Sequence, residues 1–403
     1  MLTHLAGPYV VGIDAGGTKT RCVVLTLGGA LAGSGTGPGA NPNSGGDTAG
    51  ALTTALREAL GDLDRTHILT GVFGIAGAGS AGRPAAVTAA RQAWQAADLR
   101  GSPAVVTDIA VAFAAGTSEP KGIVVFSGTG AGAAVISDGT IVQRADGYGW
   151  LVGDEGSAVW LGKEAVRAAL AAYDGRGSPT LLTDSVPRAL LGATVVAEID
   201  SKRRRPRHPR APAMAGASSA PGASVLSQAA TLSTGGGSPG GGTAVLLHET
   251  PGPTPGNGPC PPSGTSPPGS PAPPGHPEVA GTPPDPRLAQ AIIKEVYGRP
   301  PSALGRLGPV VAAAAAAGDP VARRITEEAA QWLLRDVDAV RPALADPRAP
   351  VVMHGSVLRE GPVADAVRTG LRDRFAAAPR CAGDGAVGAA GMALRRLGHP
   401  LPG

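Results

Sequence analysis

The hydrophobic pattern of the first 117 residues alternates between strand-like and helix-like spacing. Short apolar runs bounded by glycine predict strands, and apolar residues three or four positions apart predict helices. The predicted strands are YVVGID (9–14), TRCVVLTL (20–27), ILTGVFGIAGA (68–78) and AVVTD (104–108), and the predicted helices are GDTAGALTTALREALGDL (46–63) and AAVTAARQAWQAA (85–97). This mixture predicts an α/β fold.

A second apolar hairpin repeats the plan of the first. The segment GIVVFSGTGAGAAVI (122–136) passes through a glycine-rich tip, and a Ser-Asp-Gly turn leads on to TIVQR (140–144). The first hairpin likewise passes through a glycine-rich tip, GGTKT (16–20). We therefore expect an internal duplication with two domains, 1–117 and 118–403, and a cleft between them.

A stretch rich in proline, glycine and serine interrupts the second predicted domain at 201–285. It holds 19 of the 39 prolines, and such a composition buries too little apolar surface to offset its ordering entropy. Helical spacing runs up to it in 156–175 and resumes in 285–298. We therefore predict a disordered insertion in one domain, dispensable for chemistry. After it, 309–340 predicts long helices, 349–358 a last strand and 384–397 a closing helix.

Composition limits the class of protein. With 403 residues, 42% of them hydrophobic, the chain can bury the cores of two domains. No apolar run approaches the length of a membrane span and the first residues do not resemble a leader, so we expect a cytoplasmic protein without a membrane partner. Cys22, Cys260 and Cys381 lie far apart, which argues against a disulfide framework or a cysteine-bound metal.

The net charge of +4 does not indicate a nucleic-acid partner. Between residues 201 and 285, six cations against three acids give +3, so the remainder carries only +1. The basic segment SKRRRPRHPR (201–210) lies in a stretch without aromatic residues. A surface that binds nucleic acid needs its cations on a folded face or among aromatic side chains.

The first glycine-rich tip can bind phosphate groups. Glycine allows backbone N–H groups to approach an anion, and neighbouring threonine and lysine side chains add a hydroxyl group and a cation. The candidate phosphate ligands are Gly16, Gly17, Thr18, Lys19 and Thr20. Asp14 is placed to hold Mg²⁺ through water. The alternative is a tight hairpin whose glycines only provide the turn.

The second tip offers the same chemistry. Ser127, Gly128, Thr129 and Gly130 form it, and taken alone they are as compatible with a simple turn as with a phosphate site. Together, the two tips could hold the phosphates of a nucleotide from both sides of a cleft.

Asp108 follows a predicted buried strand and precedes a helical run. It can cap that helix, as aspartate often does. It can also act as a general base that accepts a proton from a substrate hydroxyl group attacking a γ-phosphate. Both interpretations are compatible with the sequence.

The segment DGYGWLVGDEGSA (146–158) has the composition of a sugar pocket. An aromatic pair offers an apolar surface to a sugar ring, and carboxylates accept hydrogen bonds from its hydroxyl groups. The alternative is a loop followed by a helix N-terminus with acids in its first turn. Asn41 and Asn43 offer further hydrogen-bonding groups in a loop. The histidines form no ligand-like cluster, and we assign them no metal.

Four segments together resemble a known family. GIDAGGTKT (12–20), VVTDIAVAFAAG (105–116), FSGTGAGAAV (126–135) and GYGWLVGDEGSA (147–158) resemble the N-acetylglucosamine kinases of the BadF/BadG family, which also contains the benzoyl-CoA reductase activator ATPases. The resemblance covers 8–200 and 285–400. It implies a two-domain actin-like ATPase fold of the ribonuclease H type, the cofactors ATP and Mg²⁺, a small-molecule sugar substrate and a homodimer.

The resemblance also implies roles for particular residues. Asp108 becomes the base for the 6-hydroxyl group of the sugar, and Gly355 and Ser356 of the segment HGSV (354–357) lie on the adenosine side of the cleft. The positions that match the sugar pocket are Asn41, Asp108, Thr129, Gly147, Tyr148, Gly149 and Asp154. Ala131 and Gly132 stand where relatives often have an asparagine, and Tyr148 where tryptophan is frequent. These departures bear on the choice of sugar.

The expected activity is therefore ATP-dependent phosphorylation of N-acetylglucosamine at its 6-hydroxyl group. Glucosamine, N-acetylmuramic acid and glucose are alternative substrates that leave every motif unchanged. Two other classes are an ATPase activator of a reductase or dehydratase and a sugar-sensing regulator. The first needs cysteines that ligate an iron–sulfur cluster, and the second needs a DNA-binding helix-turn-helix, which does not precede Val10.

Overall fold

Two five-stranded sheets and eleven α-helices make up the part of the chain that the computed structural model describes, residues 7–42, 45–79, 81–204, 286–344, 346 and 348–399. The strands are β1 (Tyr9–Ala15), β2 (Lys19–Thr26), β3 (Leu31–Pro38), β4 (Ile68–Ile75), β5 (Ala104–Thr107), β6 (Lys121–Ser127), β7 (Ala131–Ser137), β8 (Thr140–Asp146), β9 (Val351–His354) and β10 (Arg380–Cys381). The helices are α1 (Thr48–Leu60), α2 (Arg83–Ala96), α3 (Asp108–Gly116), α4 (Ala158–Tyr173), α5 (Leu182–Leu191), α6 (Ala193–Arg204), α7 (Pro286–Tyr297), α8 (Gly308–Ala316), α9 (Pro320–Val340), α10 (Pro362–Arg372) and α11 (Gly385–Arg396).

The two sheets have the same topology. The first has the strand order β3-β2-β1-β4-β5, and the second has the order β10-β9-β6-β7-β8. In the first sheet β1, β2 and β3 form an antiparallel meander, and β4 and β5 run parallel to β1. The second sheet repeats this with β6, β7 and β8 as the meander and β9 and β10 as the parallel strands. The repeat expected from the two glycine-tipped hairpins is thus present in the strand topology.

Strand β3 was not predicted, and its sequence explains why. LAGSGTGP shows no apolar alternation, because glycine occupies every second position at Gly33, Gly35 and Gly37. A Cβ atom at any of these positions would overlap the backbone of α1, at the carbonyl groups of Ala59, Ala55 and Ala51 in turn. The glycines therefore allow a helix to lie directly on the strand.

Helix boundaries follow local capping signals. Asp47 caps α1 by accepting a hydrogen bond from the Gly50 N–H group at 2.8 Å. Asp319 caps α9 in the same way and also accepts hydrogen bonds from Thr180 and Leu181 at the start of α5. Because a Gly-Asp-Pro sequence separates α8 from α9, the alanine-rich stretch 309–340 forms two helices.

Helices α3 and α11 lie between the two sheets. A single apolar cluster joins residues of both sheets to these helices, including Val10 and Val72 from the first sheet and Val124 and Val352 from the second. Two further cores lie on the outer faces, under α1 and α2 on one side and under α4, α5 and α7 to α10 on the other. The closing helix α11 thus packs on the first sheet although it follows the second in the chain.

Most of the predicted insertion lies outside the described residues. Helix α6 continues to Arg204, and residues 205–285 are not part of the described ranges. Cys260 lies in the same stretch. Within the described ranges, every helix is too short or too polar to cross a membrane. The division into domains at 117 and 118 remains a prediction.

Candidate active site

The carboxylates of Asp14 and Asp108 lie at the same edge of the first sheet. The strand registers pair Ala15 with Ile75 and Ile75 with Thr107, so the carboxyl ends of β1, β4 and β5 are level. Asp14 immediately precedes Ala15, and Asp108 immediately follows Thr107. The carboxyl edge of parallel strands is where open α/β sheets bind their ligands.

Asp14 lies among other charged groups. Burial raises the pKa of Asp14 to about 7, the negative charges of Asp108 and Asp384 add to the increase, and Arg21 opposes it. Arg21 and Asp384 form an ion pair with 2.8 Å between Nη2 and Oδ2. Asp384 also caps α11 by accepting a hydrogen bond from the Ala386 N–H group at 3.0 Å. This pair therefore joins β2 to the start of α11 beside Asp14.

Asp108 is the first residue of α3, and it is not the helix cap. The cap is Thr107, whose Oγ1 accepts a hydrogen bond from the Ala110 N–H group at 3.3 Å. Burial raises the pKa of Asp108, whereas a hydrogen bond from the backbone of Ile109 and the charge of Arg144 lower it. A carboxylate with a raised pKa is a better proton acceptor. The structure therefore assigns the side-chain cap of α3 to Thr107, and the role of Asp108 as a base stays a prediction.

The first glycine-rich tip is a tight turn fastened to a neighbouring loop. The Gly16 N–H group donates to the Lys19 carbonyl group at 2.9 Å, and the Ala40 N–H group donates to the Gly16 carbonyl group at 3.0 Å. The loop that follows β3, which carries Asn41, is thus held against the tip. The exposed residues of the tip are Gly17, Thr18 and Lys19.

The second tip is joined to two other elements. The Ala158 N–H group at the start of α4 donates to the Gly128 carbonyl group at 2.8 Å, and the Val357 N–H group donates to the Ser127 carbonyl group at 3.1 Å. Within the tip, the Gly128 N–H group donates to the Gly130 carbonyl group at 2.8 Å. The loop after β9, the second tip and α4 therefore form one connected unit.

Two predicted phosphate ligands have hydroxyl groups that are already bonded inside the protein. Thr20 is buried, and its Oγ1 donates to the Pro38 carbonyl group at 2.6 Å. Ser127 is also buried, and its Oγ donates to the Gly156 carbonyl group at 2.8 Å. Thr129, at the outside of the second tip, is exposed. Thr20 and Ser127 hold the hairpins in shape with their side chains.

A largely apolar cavity of about 370 Å³ adjoins the second tip. Ala158 and Leu161 of α4 form one wall, Ser356 and Val357 another, and Pro362 of α10 a third. Because Ala158 also bonds to Gly128, the cavity begins next to the backbone of the second tip. A flat apolar ring system fits this environment, with the tip close by.

Asp146 organises the loop that connects β8 to α4. Its Oδ1 accepts hydrogen bonds from the N–H groups of Asp154 at 2.8 Å and Tyr148 at 3.4 Å, and its Oδ2 accepts one from the Glu155 N–H group at 3.0 Å. Asp146 and Asp154 both have left-handed backbones, with φ of 57° and 58°. One buried carboxylate therefore fixes both ends of the loop.

Asp154 joins this loop to the second tip. Its Oδ1 accepts a hydrogen bond from the Ala131 N–H group at 3.3 Å. Burial raises the pKa of Asp154, and the charge of Asp146 adds to the effect, whereas Ala131 and Arg144 oppose it. The charge of Arg144 also acts on Asp108. Arg144 thus lies within electrostatic range of the candidate base and of the candidate sugar ligand.

The predicted sugar loop is open at its surface. Gly147 and Gly149 have φ of 78° and 98°, and the Gly147 carbonyl group accepts a hydrogen bond from Arg144 Nη2 at 2.7 Å. Between and beyond the glycines, Tyr148 is 71% exposed and Trp150 is 44% exposed. Aromatic rings exposed in this way are available to the C–H face of a sugar.

The hydrogen bonds gather the predicted residues into two groups. One group is the first tip with the loop of Asn41, and the other is the second tip with the sugar loop and 355–357. Charge interactions connect the two groups, because Asp108 lies within electrostatic range of both Asp14 and Arg144, and Arg144 also acts on Asp154. Asn43 lies outside the described residues.

Sequence reasoning missed three charged residues of this region. Asp146 begins an Asp-Gly dipeptide, a common turn signal, and Asp384 directly precedes a helical run, which is a capping signal. Arg144 carries no such local signal. Its importance follows only from the effect of its charge on both Asp108 and Asp154.

The residues fit a magnesium ion that is bound mostly by other groups. In the described part of the chain, His, Cys, Asp and Glu side chains form no set of three that could hold a metal by themselves. Mg²⁺ usually keeps several waters and is bound by one or two carboxylates together with substrate phosphates. Asp14, at the sheet edge beside the first tip, is suited to supply such a carboxylate.

Comparison with known sequences agrees with these observations. A model of the BadF/BadG/BcrA/BcrD ATPase family matches residues 11–393. Over 180 residues, the chain is 32% identical to an N-acetylmuramic acid/N-acetylglucosamine kinase of Clostridium acetobutylicum. That match covers 44% of this chain and 58% of the relative, so the chain spans little more than half the length of the curated relative that it matches. The resemblance stated from the four segments is confirmed.

Solved structures share the fold at low sequence identity. A candidate N-acetylglucosamine kinase from Chromobacterium violaceum superposes with a TM-score of 0.55 and 20% identity, covering 96% of this chain and 98% of that chain. Another from Porphyromonas gingivalis gives a TM-score of 0.57 and 16% identity, covering 96% and 99%. The predicted α/β fold of actin-like ATPases is confirmed.

Proposed function

Because the chain belongs to the BadF/BadG/BcrA/BcrD ATPase family, we propose that it is an ATP-dependent sugar kinase that phosphorylates the 6-hydroxyl group of N-acetylglucosamine. The observation that carries the proposal is the position of Asp108. The cap of α3 is Thr107, burial raises the pKa of Asp108, and its carboxylate, which accepts a hydrogen bond from the Ile109 backbone, lies at the sheet edge beside Asp14.

The chemistry assigned to Asp108 is proton acceptance. As the sugar oxygen forms a bond to the γ-phosphorus, its proton passes to the Asp108 carboxylate. The bond between the γ-phosphorus and the bridging oxygen breaks, and the electron pair leaves with ADP. The Ile109 backbone hydrogen bond and the charge of Arg144 both lower the pKa of Asp108 and so favour its ionised form before the transfer.

The nucleotide is assigned to the two tips and the cavity next to the second. The adenine ring enters the cavity of about 370 Å³ beside Ser356 and Val357. The phosphates then extend past the backbone of Gly128 toward Gly16, Gly17, Thr18 and Lys19. Mg²⁺ would be held by Asp14 together with these phosphates, and it would neutralise charge on the γ-phosphate.

The sugar is assigned to the space next to Asp108 and the loop after β8. Asp154 offers its carboxylate, Tyr148 an aromatic surface and Asn41 an amide. The similarity to an N-acetylmuramic acid/N-acetylglucosamine kinase supports an N-acetylated amino sugar. Gly147, Gly149 and Thr129 line the same space in this assignment.

The proposal is tested by measuring ADP release with Mg-ATP and a panel of sugars. The panel contains N-acetylglucosamine, glucosamine, N-acetylmuramic acid, N-acetylmannosamine and glucose, and nuclear magnetic resonance of the product locates the phosphate. We expect the highest kcat/KM with N-acetylglucosamine and a phosphate on C6. Turnover with another sugar alone would mean that this sugar, and not N-acetylglucosamine, is the substrate. Absence of sugar-dependent turnover would reject the proposed kinase activity.

The same assay tests the predicted insertion. Helix α7 contacts both α5 and α6, and the shortened chain replaces residues 205–285 with a glycine linker between Arg204 and Pro286. We expect sugar-dependent turnover to persist in the shortened chain. Light scattering on both proteins tests the homodimer that the family resemblance implies.

A further inference from the structure

A second cavity lies between α3, α11 and the turn that joins β7 to β8. Its volume is about 220 Å³. Phe113 of α3, Ile136 of β7 and Met392 of α11 give it an apolar floor. None of the residues assigned to nucleotide, sugar or metal lines it, so it is separate from the candidate active site.

Four charged side chains surround this floor. Arg395 and Arg396 come from the end of α11, Glu119 from the segment after α3, and Asp138 from the turn between β7 and β8. Among the described residues none of the four forms an ion pair with another side chain, and Arg395 Nη1 is buried without any hydrogen-bond partner. Burial lowers the pKa of Arg395, because the charged guanidinium group loses hydration there.

The unpaired guanidinium nitrogen of Arg395 lowers the stability of the folded protein. A buried charged donor without an acceptor loses its hydration and gains nothing in return. Nη1 itself is closed to solvent, but the Arg395 side chain lines the cavity, where a bound carboxylate would supply a counter-charge to the guanidinium group. The acids Glu119 and Asp138 would repel a polyanion such as a nucleotide, whereas they would attract an ammonium group.

The acidic residues are held close to the rest of the cavity. The Asp138 N–H group donates to the Pro120 carbonyl group at 2.8 Å, which fixes the turn beside the segment carrying Glu119. Both signs of charge and the apolar floor are therefore present in one small space.

The volume limits the size of the ligand. An apolar cavity of roughly 150 Å³ is enough to hold benzene, so 220 Å³ accommodates a molecule somewhat larger than that. A short branched hydrocarbon that carries a carboxylate and an ammonium group matches the size, the apolar floor and the balance of charges.

We propose that this cavity is a binding site for a small apolar α-amino acid, with the carboxylate at Arg395, the ammonium group at Glu119 and Asp138, and the side chain on Phe113 and Met392. The site adds a second ligand to the molecule and does not depend on the kinase reaction.

The test is isothermal titration of the full chain with L-leucine, up to about 10 mM, which detects dissociation constants in the millimolar range. We expect saturable binding and an increase in melting temperature. Two analogues separate the contacts: 4-methylpentanoate lacks the ammonium group, and 3-methylbutylamine lacks the carboxylate. Each should bind at least about tenfold more weakly, equivalent to about 1.4 kcal/mol.

Variants locate the binding. Arg395→Gln should weaken leucine binding at least about tenfold, and Glu119→Gln, at an exposed position, tests the ammonium contact without risk to the core. The matched control is Arg91→Gln, an exposed arginine of α2 away from the cavity. Absence of leucine binding to the wild-type chain overturns the proposal, and so does equal binding by the wild type and the two cavity variants.

Discussion

Gly355 lies directly against the carbonyl oxygen of Ser127. A Cβ atom added to Gly355 would overlap that oxygen, and the φ of Gly355 is 103°, a backbone conformation that other residues rarely adopt. The Val357 N–H group donates to the same carbonyl oxygen at 3.1 Å. The loop after β9 and the second tip are thus in contact through their backbones.

Replacing Gly355 with alanine should displace this loop from the second tip. We expect Gly355→Ala to lose about 1–2 kcal/mol of stability from the left-handed backbone conformation and more from the clash with Ser127. The KM for ATP should increase at least about tenfold, because the loop and the tip flank the cavity assigned to adenine. Melting curves and initial rates at varied ATP check both effects.

Gly192→Ala is the matched control for this variant. Gly192 has a φ of 86° at the end of α5, and an added Cβ atom would meet no atom within 4 Å. With ψ of 150°, Gly192 adopts a conformation that is essentially restricted to glycine, so the variant should lose at least as much stability from its backbone and leave the KM for ATP unchanged. If both variants alter ATP binding equally, the contact between Gly355 and Ser127 has no specific role in the nucleotide site.

Asp108→Asn should abolish the proposed general base. General-base catalysis contributes about 10²–10⁴-fold to a rate, so kcat should fall by that amount while the KM for the sugar changes little. The amide is nearly isosteric, and the cap on α3 is Thr107, so the melting temperature should not fall. Asp62→Asn, at an exposed position after α1, is the control. Turnover near the wild-type level would remove Asp108 from the role of base.

The hairpins could be predicted because their signals are local. In β1–β2 and β6–β7, apolar runs and glycine tips lie within a few consecutive residues. Strand β3 could not be predicted in this way, since its glycines are explained only by α1 lying on them. Asp14 and Asp384 differ in the same way. Asp14 lies beside a glycine tip in the sequence, whereas Asp384 is far from that tip in the sequence and close to it only in the fold.

The supporting residues of the site were less predictable than its ligands. Asp146 acts through backbone N–H groups eight and nine residues later in the chain, and no periodic pattern encodes such a contact. Asp108 was identified from its place after a buried strand, but only the structure shows that Thr107 is the cap of α3.

Asp146→Ala should disorder the sugar loop. The change removes a buried carboxylate that accepts hydrogen bonds from Tyr148, Asp154 and Glu155. Hydrogen bonds to charged groups contribute about 1.5–3 kcal/mol each, so we expect a clear loss of stability and at least a tenfold increase in the KM for the sugar. The KM for ATP should change much less. These values are obtained from melting curves and from initial rates at varied sugar and varied ATP.

Asp98→Ala controls for the backbone conformation in this experiment. Asp98 has the same φ of 57° as Asp146, but it is exposed at the end of α2. It should show the cost of alanine in a left-handed conformation without any kinetic change. An equal effect of both variants on the KM for the sugar would mean that the hydrogen bonds of Asp146 do not shape the sugar site.

Asp336→Asn should stabilise the protein, and the gain should grow with pH. Burial raises the pKa of Asp336 on α9 from 3.8 to about 7, the charges of Asp146 and Glu155 add to the effect, and its Oδ2 is buried without a hydrogen-bond partner. Below pH 4 the carboxyl group is protonated in both the folded and the unfolded chain, so it does not lower the free energy of unfolding. Between pH 4 and 7 the unfolded chain releases this proton first, and the folded state loses stability as the pH rises. Above pH 7 the ionised carboxylate lowers the free energy of unfolding by its full amount, on the order of 1–4 kcal/mol for a partly buried group.

Denaturant unfolding at pH 5 and pH 8 should therefore show a larger gain for Asp336→Asn at pH 8. Asp338→Asn, two residues along the same helix, breaks a bidentate pair with Arg374 and should lower the stability instead. A variant at Asp336 that is no more stable than the wild type at pH 8 would contradict the assigned cost of its charge.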